Sequence, residues 1–300
     1  MVSFGLRIIG LDNTTIDGAI LPLVDIIVPI FNAFTDVRAC LAALDSCGLP
    51  EGISIWLMDD ASGDPSIAKL LQDFQNSSEI LVHLIRQPRN LGFVGNVNDA
   101  LARTQNDVVL LNSDTRVTQG WLQAIMLSAA RHPKAASITP FSNNAEICSF
   151  PALCVSNPVP ENLALLAVAC ENAAPNEIEL PTGVGFCMYM RRAAINQIGN
   201  FDAATFGKGY GEENDWCVRA KAWGWTNLLC NRAYVAHVGG RSFASVPDVD
   251  FALQAKRGNG KRLLARYPHY DIDVQRFIAA DPPRAVRAAL RAALDRLGGD

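Results

Sequence analysis

Val24-Asp25-Ile26-Ile27-Val28-Pro29-Ile30-Phe31-Asn32, followed by Val37, Cys40, Leu41 and Leu44, is the stretch whose reading decides the fold. Its first five residues form a β-rich run that the reading ends at Pro29, and the apolar positions beyond the turn recur at helical spacing. The same strand, turn and helix return three times. Residues 53–58 read as a strand, Asp64 as an N-cap with Pro65 at the first helical position, and Ile67, Leu70, Leu71 and Phe74 share one face. Residues 80–85 lead into a helix carrying Val94, Val97 and Leu101, and residues 107–111 into one around Trp121, Ile125 and Ala129. Nearly continuous apolar strands alternating with helices predict an α/β fold whose mostly parallel sheet is covered on both faces. Ligands of such sheets bind beyond the carboxyl ends of the strands, and the polar clusters of this chain fall there.

After Pro140 the texture becomes Pro- and Asn-punctuated, with one apolar helix over residues 163–170. Residues 182–190 read as a strand entered through glycines, 193–198 as a short helix, and 226–229 and 233–236 as two short strands. Residues 283–297 read as a helix with Val286, Leu290, Leu294 and Leu297 in a stripe. The expected organisation is an N-terminal extension or edge strand over 1–22, one domain over 23–245 with halves 23–140 and 141–245, and a helical extension over 246–300.

The chain has 300 residues, about half of them apolar, and a formal charge of −4, so it can bury a sizeable core and lacks the basic surface that nucleic acid requires. Basic residues do gather at Lys256, Arg257, Lys261, Arg262 and Arg266; they read as a solvated face, with anionic lipid or a diphosphate as the other partners they suit. Eight cysteines without a C-x-x-C pair, mostly among apolar neighbours, read as buried free thiols of a reducing compartment. No leader pattern and no spanning apolar run is present, which predicts a cytoplasmic protein whose membrane contact, if any, is peripheral.

Two constellations carry chemistry. One is the set of strand ends: Pro29, Phe31 and Asn32; Asp59 and Asp60; Arg86 to Phe93; and Asn112, Ser113 and Asp114. Each alone reads equally as a turn, but together they can present donors and acceptors to a base and ribose and an acid to a metal-bound diphosphate. The other is Gly207-Lys208-Gly209-Tyr210-Gly211-Glu212-Glu213-Asn214-Asp215, where a glycine-rich segment suited to a lid precedes carboxylates crowded into the first turn of a helix. Crowded acids tune one another's proton affinity, whereas a structural helix start needs only one.

In this order and spacing the pieces resemble the family 2 glycosyltransferases, inverting enzymes with the GT-A fold, over residues 24–243. The likeness continues through Arg89-Asn90-Leu91-Gly92-Phe93 with Asn96 and Asn98, through Gly183-Val184-Gly185-Phe186, and through Val235-Ala236-His237-Val238-Gly239-Gly240. It implies that Asp59 or Asp60 bonds the base, favouring uracil or thymine, with Asn90 and Asn96 supporting that pocket. It implies that Asp114 and His237 ligate Mn2+ or Mg2+ on the donor diphosphate. Asn112 replaces the first acid of the family's Asp-x-Asp motif. Glu213 falls at the proposed general base, a longer Glu for Asp, with Glu212 and Asp215 holding the acceptor or orienting the base. Trp216 and Trp223 read as core residues and Tyr210 as a sugar platform. The implied partners are a nucleotide-diphosphate sugar, a glycan or lipid-linked acceptor, and further glycosyltransferase modules. A nucleotidyltransferase or nicotinamide dehydrogenase would need a glycine-rich loop where Pro29-Ile30-Phe31-Asn32-Ala33 stands. A non-catalytic sugar-nucleotide-binding module is the remaining rival, disfavoured because Asp114, Glu213 and His237 are all present.

Overall fold

The computed structural model describes residues 15–16, 19–207, 209–239 and 249–298. Gly240, Phe243 and Lys208 lie outside them, as does the side chain of Lys256. Strands β1 (Thr15–Ile16) and β2 (Ala19–Ile20) pair with each other in a small separate sheet, so the described residues of this extension add no edge to the main one. The first half then alternates: β3 (Val24–Ile30), α1 (Phe34–Ser46), β4 (Ser54–Asp59), α2 (Pro65–Ser77), β5 (Leu81–Arg86), α3 (Gly92–Arg103), β6 (Asp107–Leu111), β7 (Thr115–Val117), α4 (Trp121–Arg131) and β8 (Ala135–Phe141). The second half runs through α5 (Leu163–Glu171), β9 (Ile178–Leu180), β10 (Cys187–Met190), α6 (Arg192–Ile198), α7 (Ala203–Phe206), α8 (Glu212–Ala222) and β11 (Thr226–His237). It ends in α9 (Val249–Arg266), α10 (Tyr270–Ala280) and α11 (Arg284–Gly298).

The main sheet has the order β5-β4-β3-β6-β10-β8-β11-β7, with β9 also on β11. Its first four strands are parallel; β10 is antiparallel to both β6 and β8, and β11 returns parallel to β8. Side chains alternate between two cores, as the strand pleat requires. Ile26, Val28 and Ile30 face one core with the buried residues of α1 and α4, while Ile27, Val108 and Leu110 face the other with α3 and Trp216 of α8.

Pro29 does not stop the strand. The Ile30 carbonyl accepts from Asp60 N on the β4 side, so Pro29, one residue earlier, turns its missing N–H toward β6, whose pairing with β3 ends at Ile27. The two strands expected over 226–236 are one, kinked where the register with β8 shifts between Cys230 and Tyr234. The strand expected over 182–190 covers only Cys187–Met190, because Gly183 and Gly185 belong to the turn that enters it. Trp223 is not in the core: it follows the last turn of α8 and is 61% exposed, whereas Trp216 is fully buried. Cys154 is likewise exposed, the other seven cysteines being buried.

Helix α11 docks on α5 through the stripe read in the sequence. Val286 and Leu290 are buried and Leu294 packs behind them, but Leu297 at the frayed end is 40% exposed. Leu290→Ala should therefore lower unfolding stability by roughly 2–4 kcal/mol through transfer and cavity terms. Leu297→Ala should change it by less than about 0.5 kcal/mol. Denaturant midpoints of the two variants measure the contrast, and equal losses would mean that α11 does not dock as described.

Candidate active site

The carboxyl ends of β3, β4 and β5 are sewn together by their own polar side chains. Asn32 N donates to Ser62 Oγ at 2.8 Å, and Asn32 Oδ1 accepts from Gly63 N and Asp64 N at 2.9 and 3.3 Å. Asp59 Oδ1 accepts from Ser62 N at 2.9 Å while its Oδ2 lies 3.5 Å from Arg86 Nε, and Arg86 also donates to the Ser62 carbonyl. Asp60 Oδ1 accepts from Leu91 N, and Asn90 caps Gly92 and reaches the Asp60 carbonyl. Asn96 is buried, donates to the Met58 carbonyl at 2.8 Å and accepts from Gln87. These contacts fix three adjacent tips as one rim, beside Pro29 and Phe31, which are half-buried. Asn32, Ala33 and Ala61 have φ of 53°, 55° and 57°, so left-handed residues gather on this rim, as strained backbone does at binding sites.

Beyond β6, Asn112 N donates to the Phe186 carbonyl, and its own carbonyl accepts from the Thr115 hydroxyl at 2.7 Å. This tight turn buries Ser113 and Asp114. The β7–β11 ladder sets Thr115 opposite His237, bringing Asp114 and His237 together across the sheet. Asp114 Oδ1 lies 3.4 Å from His237 Nε2, long for a hydrogen bond, and accepts none from protein. Asp114 Oδ2 accepts from Gly239 N at 3.1 Å. A Cβ on Gly239 would collide with Asn144 Nδ2 and its φ is 79°, so only glycine delivers that N–H.

His237 Nδ1 is 2.8 Å from the Asn144 carbonyl, which can only accept. In the neutral imidazole the proton therefore sits on Nδ1, and Nε2 turns its lone pair toward Asp114. The ring stacks on Phe186, centroids 5.2 Å apart. Burial disfavours charge on both groups, but each outweighs it for the other: the Asp114 pKa falls and the His237 pKa rises. A buried carboxylate oxygen without a donor, facing an imidazole lone pair, fits a hard or borderline divalent cation. Among the described residues no cluster of three or more His, Cys, Asp or Glu could enclose one, so substrate oxygens and water must supply the remaining donors.

The acidic helix approaches from the other side of residues 182–186. Asn214 Nδ2 donates to Thr182 Oγ1 at 3.0 Å, Gly183 N donates to Cys217 Sγ, and a Cβ on Gly185 would stand 3.6 Å from Glu213 Cδ. Phe186, next in the chain, carries the contacts to Asn112 and His237. Glu213 and the Asp114–His237 pair thus flank one five-residue segment. Glu212 is 4% exposed with Oε2 unbonded; burial first, then the Glu213 charge, pushes its pKa well above the carboxylate range. Burial raises the pKa values of Tyr210, at φ 74°, and of Tyr270 from α10, with Glu212 and then Glu213 adding to the first and Glu213 to the second.

Asp215 is fully buried and bonded on both oxygens, to Arg219 Nε at 2.8 Å and to Arg266 and Tyr267 at 2.7 and 2.8 Å. It holds the helix and touches no open space. Arg266 also reaches Asp202 and Thr205, and Asn259 Nδ2 grips the carbonyls of Phe206 and Gly209. The glycine segment is strapped down at those carbonyls, and part of the basic patch read as solvated is engaged in this clasp. Sequence reading missed Asn143, Asn144, Asn259 and Tyr267 as site-building residues, and it named Phe186 within a motif and Arg266 within the basic patch without these roles. Among the four missed, only the Asn143-Asn144 doublet in the Asn-punctuated stretch gave a local signal. Two cavities lie away from the strand tips: about 260 Å3 at the opposite strand ends around Asp25, Trp56 and His83, and about 400 Å3 between α8 and the start of α10.

Residues 25–152, rather less than half of the chain, match the family model described as Glycosyl transferase family 2. An N-acetylglucosaminyl-diphospho-decaprenol L-rhamnosyltransferase of Mycobacterium tuberculosis is 26% identical over 229 residues, covering 68% of this chain and 72% of its own. Among solved structures, GalNAc-T7 with UDP, GalNAc and Mn2+ superposes with a TM-score of 0.58 at 11% identity, over 90% of this chain and 55% of that one. The mannosyltransferase PcManGT from Pyrobaculum calidifontis with GDP-Man and Mn2+ gives 0.54 at 14%, over 91% and 86%. S. aureus TarS 1-349 with UDP-GlcNAc gives 0.54 at 14%, over 91% and 80%. At these identities the likeness carries the GT-A fold.

The raised Glu212 carboxyl has a consequence for stability. The native state holds a proton that the unfolded chain, with an ordinary Glu near pH 4.3, releases. Native stability therefore falls as pH rises above that value toward the raised one. Glu212→Gln has no such proton to lose, so its stability advantage should grow by up to about 1.4 kcal/mol per pH unit in that window. Denaturation midpoints at about pH 5 and about pH 7 measure it, and parallel profiles would refute it.

Proposed function

We propose that this chain, a glycosyl transferase family 2 enzyme, moves a sugar with inversion from a nucleoside diphosphate sugar to a hydroxyl of a lipid-linked glycan. UDP or dTDP sugars are the favoured donors, and synthesis of a cell-surface polymer is the setting. The observation that carries the reading is the convergence, on residues 182–186, of a paired aspartate and imidazole from one side and a helix-borne glutamate from the other. Donor binding belongs to the strand-tip rim, where Asp59, Asp60, Arg86 and the backbone around Asn32 and Asn90 offer acceptors and donors to base and ribose. The M. tuberculosis relative's lipid-linked acceptor supports the acceptor class.

Asp114 Oδ1 and His237 Nε2 would hold a Mn2+ or Mg2+ ion, which when bound offsets charge on the diphosphate leaving group. The chain's own residues do the rest. Phe186 and Asn144 fix the imidazole with Nε2 turned to Asp114. Glu213 takes the proton from the acceptor hydroxyl as that oxygen attacks the anomeric carbon from the face opposite the diphosphate. Glu212 lies buried beside it, its carboxyl pushed well above the usual range by burial and then by the Glu213 charge. Asp215 positions their helix through Arg219, Arg266 and Tyr267.

Glu213→Gln should lower kcat by about a hundredfold or more while calorimetric binding of UDP or dTDP with Mn2+ stays within about twofold of the parent. His237→Ala should raise the Mn2+ concentration for half-maximal nucleotide binding by about tenfold or more. Full turnover by Glu213→Gln would move the base elsewhere, Glu212 first. An unchanged metal titration would remove His237 from the ligand set.

A further inference from the structure

The 400 Å3 cavity behind the acid helix is walled largely by hydrocarbon, from Pro181, Val218, Ala222, Pro268 and the rings of Tyr267 and Tyr270. A sugar would need free donors and acceptors there. Instead the Tyr267 hydroxyl and the Arg266 guanidinium are already held by Asp215. The residues flanking these walls in sequence are apolar and stand in solvent: Trp223 after Ala222 is 61% exposed, Ile272 beside Tyr270 is 52% exposed, and Leu264 one turn before Tyr267 is 42% exposed.

Cations accompany them. Arg257, Lys261 and Leu264 recur at i, i+4 and i+7 and form an exposed stripe of α9, while Asn259 and Leu263 point inward and are buried. Lys221 lines the cavity and is exposed. The opposing acids are Asp271 and Asp273, the second 3.2 Å from Arg276. In a chain of net charge −4 this is a local excess of positive charge around exposed apolar side chains. An anionic bilayer interface suits that combination: rings and aliphatic chains enter the headgroup–acyl boundary while Lys and Arg meet anionic headgroups. Among the described residues no helix is long and apolar enough to cross a membrane, so a surface of this kind is the route by which they can reach a lipid.

We infer that the face made by the end of α8 with α9 and α10 docks on an anionic bilayer, and that the cavity receives part of the hydrocarbon chain of the acceptor. The inference rests on the lipid-linked acceptor reading above. Val218, Lys221 and Ala222 of the acid helix form one wall and Tyr270, which feels the Glu213 charge, another, so a chain seated there would set its polar head toward Glu213.

Sedimentation of the full chain with vesicles tests the surface. Phosphatidylglycerol–phosphatidylcholine vesicles should bind it and phosphatidylcholine alone should not. Lys221→Glu with Lys261→Glu should weaken binding more than about tenfold. Vesicles should shift the tryptophan emission to the blue, and Trp223→Phe should remove that shift. UDP or dTDP binding with Mn2+ should be unchanged in each variant, which certifies the fold. Ala222→Trp, filling the cavity from an exposed position, should raise KM for a long-chain lipid acceptor severalfold and leave KM for a short water-soluble acceptor unchanged. Equal sedimentation with both vesicle types, no sedimentation, or a shift that survives Trp223→Phe overturns the docking face; equal KM changes overturn the cavity. Transfer to the water-soluble acceptor without vesicle binding would sink the surface and leave the reaction standing. Vesicle binding by a chain that uses no sugar nucleotide would do the reverse.

Discussion

One amide side chain fixes the centre of this molecule. Asn143 accepts from the His237 backbone N–H at 2.9 Å and donates to its carbonyl at 3.0 Å, gripping the last residue of β11 on both sides. Strand ends fray unless tied down. With the backbone held, the Asn144 carbonyl chooses the tautomer and Phe186 the ring plane, and the remaining nitrogen can only look at Asp114. Every chemical role assigned to the second half of the sheet follows from that orientation.

Local pattern made the first half of the fold legible. Runs such as Val108 to Leu111 and caps such as Asp64, which accepts from Ser66 N at 2.9 Å, depend on neighbours a few residues away. The strands whose bounds were misread depend on distant ones: β10 lies between β6 and β8, antiparallel to both, and β11 continues through a register shift because β8 supports it on both sides of the shift. The site divides the same way. Asp114, His237 and Glu213 stood out through the resemblance and their order along the chain, and the structure brings them to one segment. That Asp215 would be an anchor, not a free acid, could not be read, because Arg266 and Tyr267 lie 51 and 52 residues away. Trp223 misled because its type favours burial, while its place just past the end of α8 put it in water.

The site is also where local preference loses. Asn32, Ala33, Ala61 and Tyr210 adopt left-handed backbone angles that side chains resist, and Glu212 buries a carboxyl whose Oε2 accepts no hydrogen bond. Each costs stability, and each borders the strand tips or the acid helix. The surrounding lattice of amide and carboxylate contacts, from Asn32 across to Asn96, is what over-determines those conformations.

The clasp from α9 bears on how the chain matures. Polypeptides emerge from the ribosome amino end first, and their sheets can assemble as they appear. Here the strand-tip rim is complete once residue 96 is out, but Asp215, held within its own helix by Arg219, gains Arg266 and Tyr267 only later, as the glycine segment gains Asn259. A nascent chain would therefore form its strand-tip rim well before the acid helix is clasped, and residues 259–267 complete that clasp last.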